Sequence, residues 1–149
     1  MNISILALAV FFSIFGILLT TSSTFVQTSD AAMYRVTSGG TLNVILQPTP
    51  FPVIKGSQTN LKVSFDQKGS SSLQAHVDYD LTIMKDGKQV FQISNSTGHP
   101  NQPLHTTEGV VTIPYTFQQE GTYVINITVY GILYNPITPE TKQFTINVK

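Results

Sequence analysis

From Thr41 onward the chain alternates apolar and polar residues. Leu42, Val44 and Leu46 share one set of alternate positions, and Leu61, Val63 and Phe65 do the same in NLKVSF. A period of two puts such residues on one face of a β-strand. Val77, Tyr79, Leu81 and Ile83 repeat the pattern, with His76, Asp78, Asp80, Thr82 and Met84 as the opposite set. Asp86-Gly87 then gives a two-residue hairpin signal, since both central positions of such a turn need left-handed backbone. GVVTIPYTF, TYVINITVY and KQFTINV complete the series, which predicts seven strands at 41–47, 60–65, 75–84, 88–94, 109–117, 122–130 and 142–148. No segment after residue 40 carries the apolar stripe of a helix. Seven short strands at this spacing predict an all-β fold, an antiparallel sandwich.

The start of the chain has a different pattern. Residues 3–19, ISILALAVFFSIFGILL, are apolar throughout apart from small Ser and Gly. As a helix they span about 26 Å, close to the hydrocarbon thickness of a bilayer. The run is either the core of a secretory signal or an amino-terminal membrane anchor. No Lys or Arg precedes Arg35, and the small-x-small site Ser29-Asp30-Ala31 ends twelve residues beyond Leu19, with Thr21 to Ser23 as a nearer alternative. The chain thus divides into a signal peptide or anchor with its tether, 1–32, and a sandwich, 33–149. Both readings of the leader place the sandwich outside the cytoplasm, secreted or tethered to the membrane through residues 3–19.

Composition narrows the chemistry. Eight Lys plus Arg balance eight Asp plus Glu, so no nucleic-acid partner is expected. Only 11% of residues are charged, against about a quarter in ordinary soluble domains. Thr, Ser, Asn and Gln supply the polarity instead, which suits an exported β protein. The absence of cysteine excludes a disulfide framework, thiol catalysis and thiolate-ligated metal centres. No Gly-x-Ser-x-Gly elbow, phosphate loop or His-Glu-x-x-His motif occurs, and no enzyme activity is expected.

FQQEGTYVINITV places Gly121 and Tyr123 just before a strand whose inward set is Tyr123, Ile125, Ile127 and Val129. This stretch resembles the tyrosine corner of immunoglobulin-like domains, including the polycystic-kidney-disease-repeat and fibronectin type III relatives. The resemblance implies that the Tyr123 hydroxyl returns to the backbone and pins a corner between two sheets. It also implies that the loops after the second, fourth and sixth predicted strands cluster at one end. Without a core Trp or a Cys pair the chain is not of the antibody type.

In that topology all three histidines fall at one end: His76 opens the third predicted strand, and His99 and His105 lie in the loop 95–108. Asp78 stands one step along from His76, and Glu108 is close in sequence to His105. Neutral imidazole suits copper and zinc without a thiol, so His76 and His105, with His99 or Asp78, are the candidate ligands and copper is the candidate cofactor. In general terms this resembles periplasmic copper carriers and the soluble copper domains of membrane monooxygenases, although no His-x-His pair occurs. The apolar leader, low charge and Thr/Asn/Gln-rich strands are similar to small exported sandwich proteins of ammonia-oxidising archaea, which implies an accessory role beside membrane copper enzymes. The simpler reading of Asp78 and Asp80 is a solvated strand face, and of Met84 packing.

YGILYNPITPE, between the last two predicted strands, carries Ile132, Leu133, Tyr134, Pro136 and Ile137 where polar turn residues are usual. An exposed apolar loop marks a contact surface, so these five are the candidate partner-binding residues. Asn95-Ser-Thr97 is a loop sequon for glycosylation, whereas Asn126-Ile-Thr128 lies mid-strand and reads as a chance match. The expected function is a non-enzymatic accessory module docking on a membrane or envelope protein complex through this loop. The alternative is a copper- or zinc-binding accessory protein.

Overall fold

The computed structural model describes residues 32–149, and most of that length is strand. The apolar run 3–19 lies outside the described residues. Among the described residues no helix is long and apolar enough to cross a membrane. The strands are β1 (Met33–Val36), β2 (Leu42–Thr49), β3 (Gln58–Gln67), β4 (Val77–Lys85), β5 (Lys88–Gln92), β6 (Leu104–Thr106), β7 (Val110–Thr116), β8 (Gly121–Ile132) and β9 (Asn135–Val148), with one helical turn, α1 (Ile93–Ser96), after β5. One antiparallel sheet has the order β1-β2-β3-β7 and the other β5-β4-β8-β9, with β6 following β5 along the same edge of β4.

All seven predicted strands are present; six have ends shifted by no more than about two residues, and the last, expected from 142, begins at Asn135. β1 and β6, four and three residues long, are additions, too short for a period of two to be read. The strand expected over 88–94 stops at Gln92, where the chain turns into α1. The cause is Asp80. Its carboxylate accepts the Gln92 amide at 2.5 Å, the Ser94 hydroxyl at 3.0 Å and the Ser94 N–H at 3.3 Å. Asp80 is only 6% exposed, so the expected solvated face is corrected there: burial is tolerated because the carboxylate is hydrogen-bonded.

The alternating sets meet between the sheets. Leu42, Val44, Leu46, Leu61, Val63 and Phe65 face Val77, Tyr79, Leu81, Ile83, Ile125, Ile127 and Val129 in one buried cluster. Phe65 touches Tyr79 across the gap at 5.5 Å between ring centroids. Each such side chain contributes about 1.5–3 kcal/mol on burial, which is why register along these strands tolerates no slip.

Two polar ties hold the margins. The Tyr123 hydroxyl donates to the Gln119 carbonyl at 3.1 Å and accepts the Gln119 N–H at 3.2 Å, with Phe117 edge-on to its ring at 4.9 Å. That is the corner expected from EGTY. The second tie is Glu140 on β9, 8% exposed. It accepts the Thr37 hydroxyl, the Thr41 hydroxyl at 2.5 Å and the Thr41 N–H at 3.2 Å, clamping the β1–β2 turn to the edge of the other sheet. A Cβ at Gly39 would land on this carboxylate. Burial by itself raises the Glu140 pKa, but the hydrogen bonds from Thr37, Thr41 and Gly39 outweigh it and hold the carboxyl below its ordinary value.

Tyr123→Phe should lower stability by about 1–2 kcal/mol with the strand content intact; urea unfolding followed by circular dichroism checks both. For Glu140 the folded pKa is the lower one, so its contribution is present above the unfolded carboxyl value of about 4.3 and is lost as pH falls through the folded value. Glu140→Gln should therefore cost about 1–3 kcal/mol at neutral pH. The gap from the parent should close as the pH drops below about 4. A gap independent of pH would show that the charge is not what binds the turn.

Candidate functional site

At one end of the molecule β4 is flanked by β6 on one side and β8 on the other. Asp78 on β4 stands opposite His105 of β6 and opposite Gly131 of β8. The pairing of β8 with β4 shifts between Val129 and Gly131, so that one extra residue, Tyr130, is absorbed there. Bulges of this kind re-aim side chains near a strand end. Here the shift leaves a glycine against Asp78, and a Cβ at Gly131 would strike Asp78 Oδ2. The carboxylate has room only because position 131 has no side chain.

His105 Nδ1 lies 2.7 Å from Asp78 Oδ1, His105 Nε2 lies 3.2 Å from His76 Nδ1, and His76 Nε2 lies 3.4 Å from the Tyr134 hydroxyl. An ionised carboxylate only accepts, so with neutral rings the proton positions follow in order. His105 carries its proton on Nδ1. Its Nε2 accepts from His76 Nδ1–H, and His76 Nε2 is left to accept from Tyr134. The three rings also contact one another, at centroid separations of 4.4 Å for His76–Tyr134, 5.4 Å for His105–Tyr134 and 5.5 Å for His76–His105. His105 and Asp78 are about one-third exposed, so their contact adds little to stability. The geometry positions ring nitrogens more than it holds the fold.

The backbone fixes His76 as firmly as its ring contacts do. Its φ is +53°, its N–H donates to Thr107 O at 3.2 Å, and its carbonyl accepts the Leu133 N–H at 2.7 Å. His76 thereby ties the β6–β7 connection to the β8–β9 turn. A left-handed conformation at a residue with a large side chain is uncommon and persists when its surroundings enforce it.

Three of the four predicted ligands, His76, His105 and Asp78, are brought together. His99 is not: it is exposed, its N–H closes the turn after α1 onto Ser94 O at 2.8 Å, and no side-chain bond joins it to the pair. Glu108 is exposed and takes no part. Among the described residues no group of three or more His, Asp or Glu converges in a way that could hold a metal. What exists is two imidazole nitrogens backed by one carboxylate. The clefts of about 550 Å³ beside Met33, Phe51 and Ile146 and about 440 Å³ beside Arg35, Asn43 and Asp66 contain none of these residues.

The apolar stretch 130–140 is corrected from a loop to a hairpin. Pairing continues to Ile132 opposite Asn135, which leaves only Leu133 and Tyr134 as the turn. Ile132 and Ile137 are half-buried against the core, whereas Leu133, Tyr134 and Pro136 are exposed, Tyr134 by 71%. Leu133 and Tyr134 have φ of +51° and +64°, in a tight turn that normally favours Asn-Gly. The sequon residue Asn95 is exposed in α1. Asn126 is wedged between strands, its amide N–H donating to Thr82 Oγ1 at 3.3 Å.

Sequence reasoning missed Gly131 and Glu140. An isolated glycine in VYGILY was a legible sign of a bulge or close approach. Nothing in the local pattern marked Glu140.

No family model matches the chain, and no curated protein matches it. Among solved structures it is similar to the PmoD soluble domain from Methylocystis sp. ATCC 49242, with 14% identity and a TM-score of 0.46, over 76% of this chain and 97% of that one. Nothing about ligand, partner or activity transfers at that level of likeness.

Replacing Leu133-Tyr134 by Asn-Gly should relieve left-handed strain of about 1–2 kcal/mol per residue. Part of that gain is offset by the lost ring contacts, so a net stabilisation of about 1 kcal/mol is expected. Urea unfolding of the double variant measures it. A lower midpoint would mean that ring stacking, not backbone preference, governs the turn.

Proposed function

We propose that this chain is a non-enzymatic extracytoplasmic accessory module, an immunoglobulin-like sandwich that docks on a membrane or envelope protein complex through the tip of the β8–β9 hairpin. The observation that carries this reading is the pair Leu133 and Tyr134, 52% and 71% exposed on a turn whose backbone disfavours them. Bulky residues kept at a strained, exposed position point to a role other than stability. A tyrosine with one apolar and one polar end is a favoured anchor in protein interfaces, and Pro136 extends the same exposed surface. The leader supports the cellular address: retained, it would hold this module beside membrane proteins, and cleaved, it would release it to the same side.

A photo-crosslinking residue at position 134, in cells that make the protein, should give one discrete adduct with a protein partner. The same residue at Ile54, exposed near the opposite end of β9, should give none. Equal adducts from both positions, or none from 134, would overturn the assignment.

A further inference from the structure

We propose that His76 Nδ1 and His105 Nε2 together chelate one zinc-type divalent ion, with Asp78 orienting His105 and Tyr134 covering the ring of His76. This inference goes beyond the docking role and stands on the geometry of the pair alone.

The first argument is distance. Imidazole nitrogens bind zinc at about 2.0–2.1 Å, so two of them at a tetrahedral angle stand about 3.3–3.4 Å apart, and two at a square-planar right angle about 2.9 Å. The observed separation is 3.2 Å, nearer the tetrahedral value. Zinc has no electronic demand on geometry and needs only that both rings turn their lone pairs toward a shared point, whereas Cu(II) would also draw the nitrogens together. The second argument is the carboxylate. Metal-bound histidines usually donate their other N–H to a carboxylate or carbonyl, which sets the tautomer and strengthens the donor. Asp78 Oδ1 stands at 2.7 Å from His105 Nδ1 for that purpose, and Gly131 leaves the space it needs. The third is preorganisation: the His76 backbone is held from both sides, and its ring is packed against both His105 and Tyr134.

Binding exchanges one arrangement of protons for another. Without an ion, His76 Nδ1–H donates to His105 Nε2. With an ion between them, His76 gives its Nδ1 proton to water and takes one from water at Nε2, and no net proton is released. The contact with Tyr134 then reverses, His76 Nε2–H donating to the tyrosine oxygen 3.4 Å away. Two protein donors leave the remaining coordination positions to water. The site is therefore open, and it binds more weakly than a four-ligand structural centre.

The test is a titration of the purified full-length chain in detergent with zinc chloride, by calorimetry, with copper(II) chloride in parallel. One equivalent of zinc should bind, at least tenfold more weakly in His76→Gln and in His105→Gln. Asp78→Asn should weaken it by about tenfold or more, and His99→Gln should leave it unchanged. Long-range nitrogen–proton spectra of the unaltered chain give a reading that needs no variant. Zinc should shift His105 Nε2 and His76 Nδ1 together and move the His76 proton to Nε2. No zinc binding at millimolar concentration, binding indifferent to both glutamine variants, or shifts confined to His99 would each overturn the proposal.

Discussion

The register of β4 against β8 sets the position of everything else in the structure. From Lys85 to Tyr79 the two strands pair residue for residue, Ile83 with Ile125 and Leu81 with Ile127, so that the inward sets of both strands enter the core together. A slip of one residue would turn the whole set outward. The extra residue at Tyr130 comes only after Val129, the last of these fully buried contacts. The core thus keeps its alternation while the end of the strand is free to take a different one. Beyond that point Asp78 meets Gly131, and the hairpin turn arrives over His76.

Two acids show how the same chemistry serves different purposes. Glu140 and Asp78 each sit where a glycine has cleared a space, Gly39 for one and Gly131 for the other. Glu140 is buried and takes several protein donors, so its charge is spent on holding the β1–β2 turn. Asp78 is partly open to solvent and has a single described donor, a ring nitrogen of His105. A carboxylate with many donors fixes a fold; one with a single histidine fixes the direction of an imidazole lone pair.

Much of the framework was legible because alternation is a property of neighbouring residues. Val77, Tyr79, Leu81 and Ile83 announced β4, Asp86-Gly87 announced its hairpin, and Gly121-x-Tyr123 announced the corner. What failed depended on partners distant in sequence. Asp80 resembled a solvated residue because Gln92 and Ser94, which bury and satisfy it, lie a dozen residues away across a turn. The stretch 130–140 resembled a loop because its apolar residues and two prolines obscured the pairing of Gly131 with Pro136 and of Ile132 with Asn135. For the histidines, sequence put His76 and His105 first and left His99 or Asp78 beside them; the choice of Asp78 rests on β6, which sets His105 opposite it. That strand of three residues exists through its pairing with β4 and leaves no signature of its own.

Tyr134 joins the two roles assigned to this end. Its hydroxyl faces His76, and its ring lies against both histidines, yet most of the residue remains open to solvent. Asn-Gly would make the easier turn but would contribute neither ring nor hydroxyl. The left-handed strain at Leu133, Tyr134 and His76 falls on residues that are linked directly, since the Leu133 N–H bonds the His76 carbonyl. The imidazole pair is thus linked to the hairpin tip by the side chain of Tyr134 and by one backbone bond. Ion binding and partner contact would then share a residue, and either could bias the other by the free energy with which it favours one orientation of the Tyr134 hydroxyl.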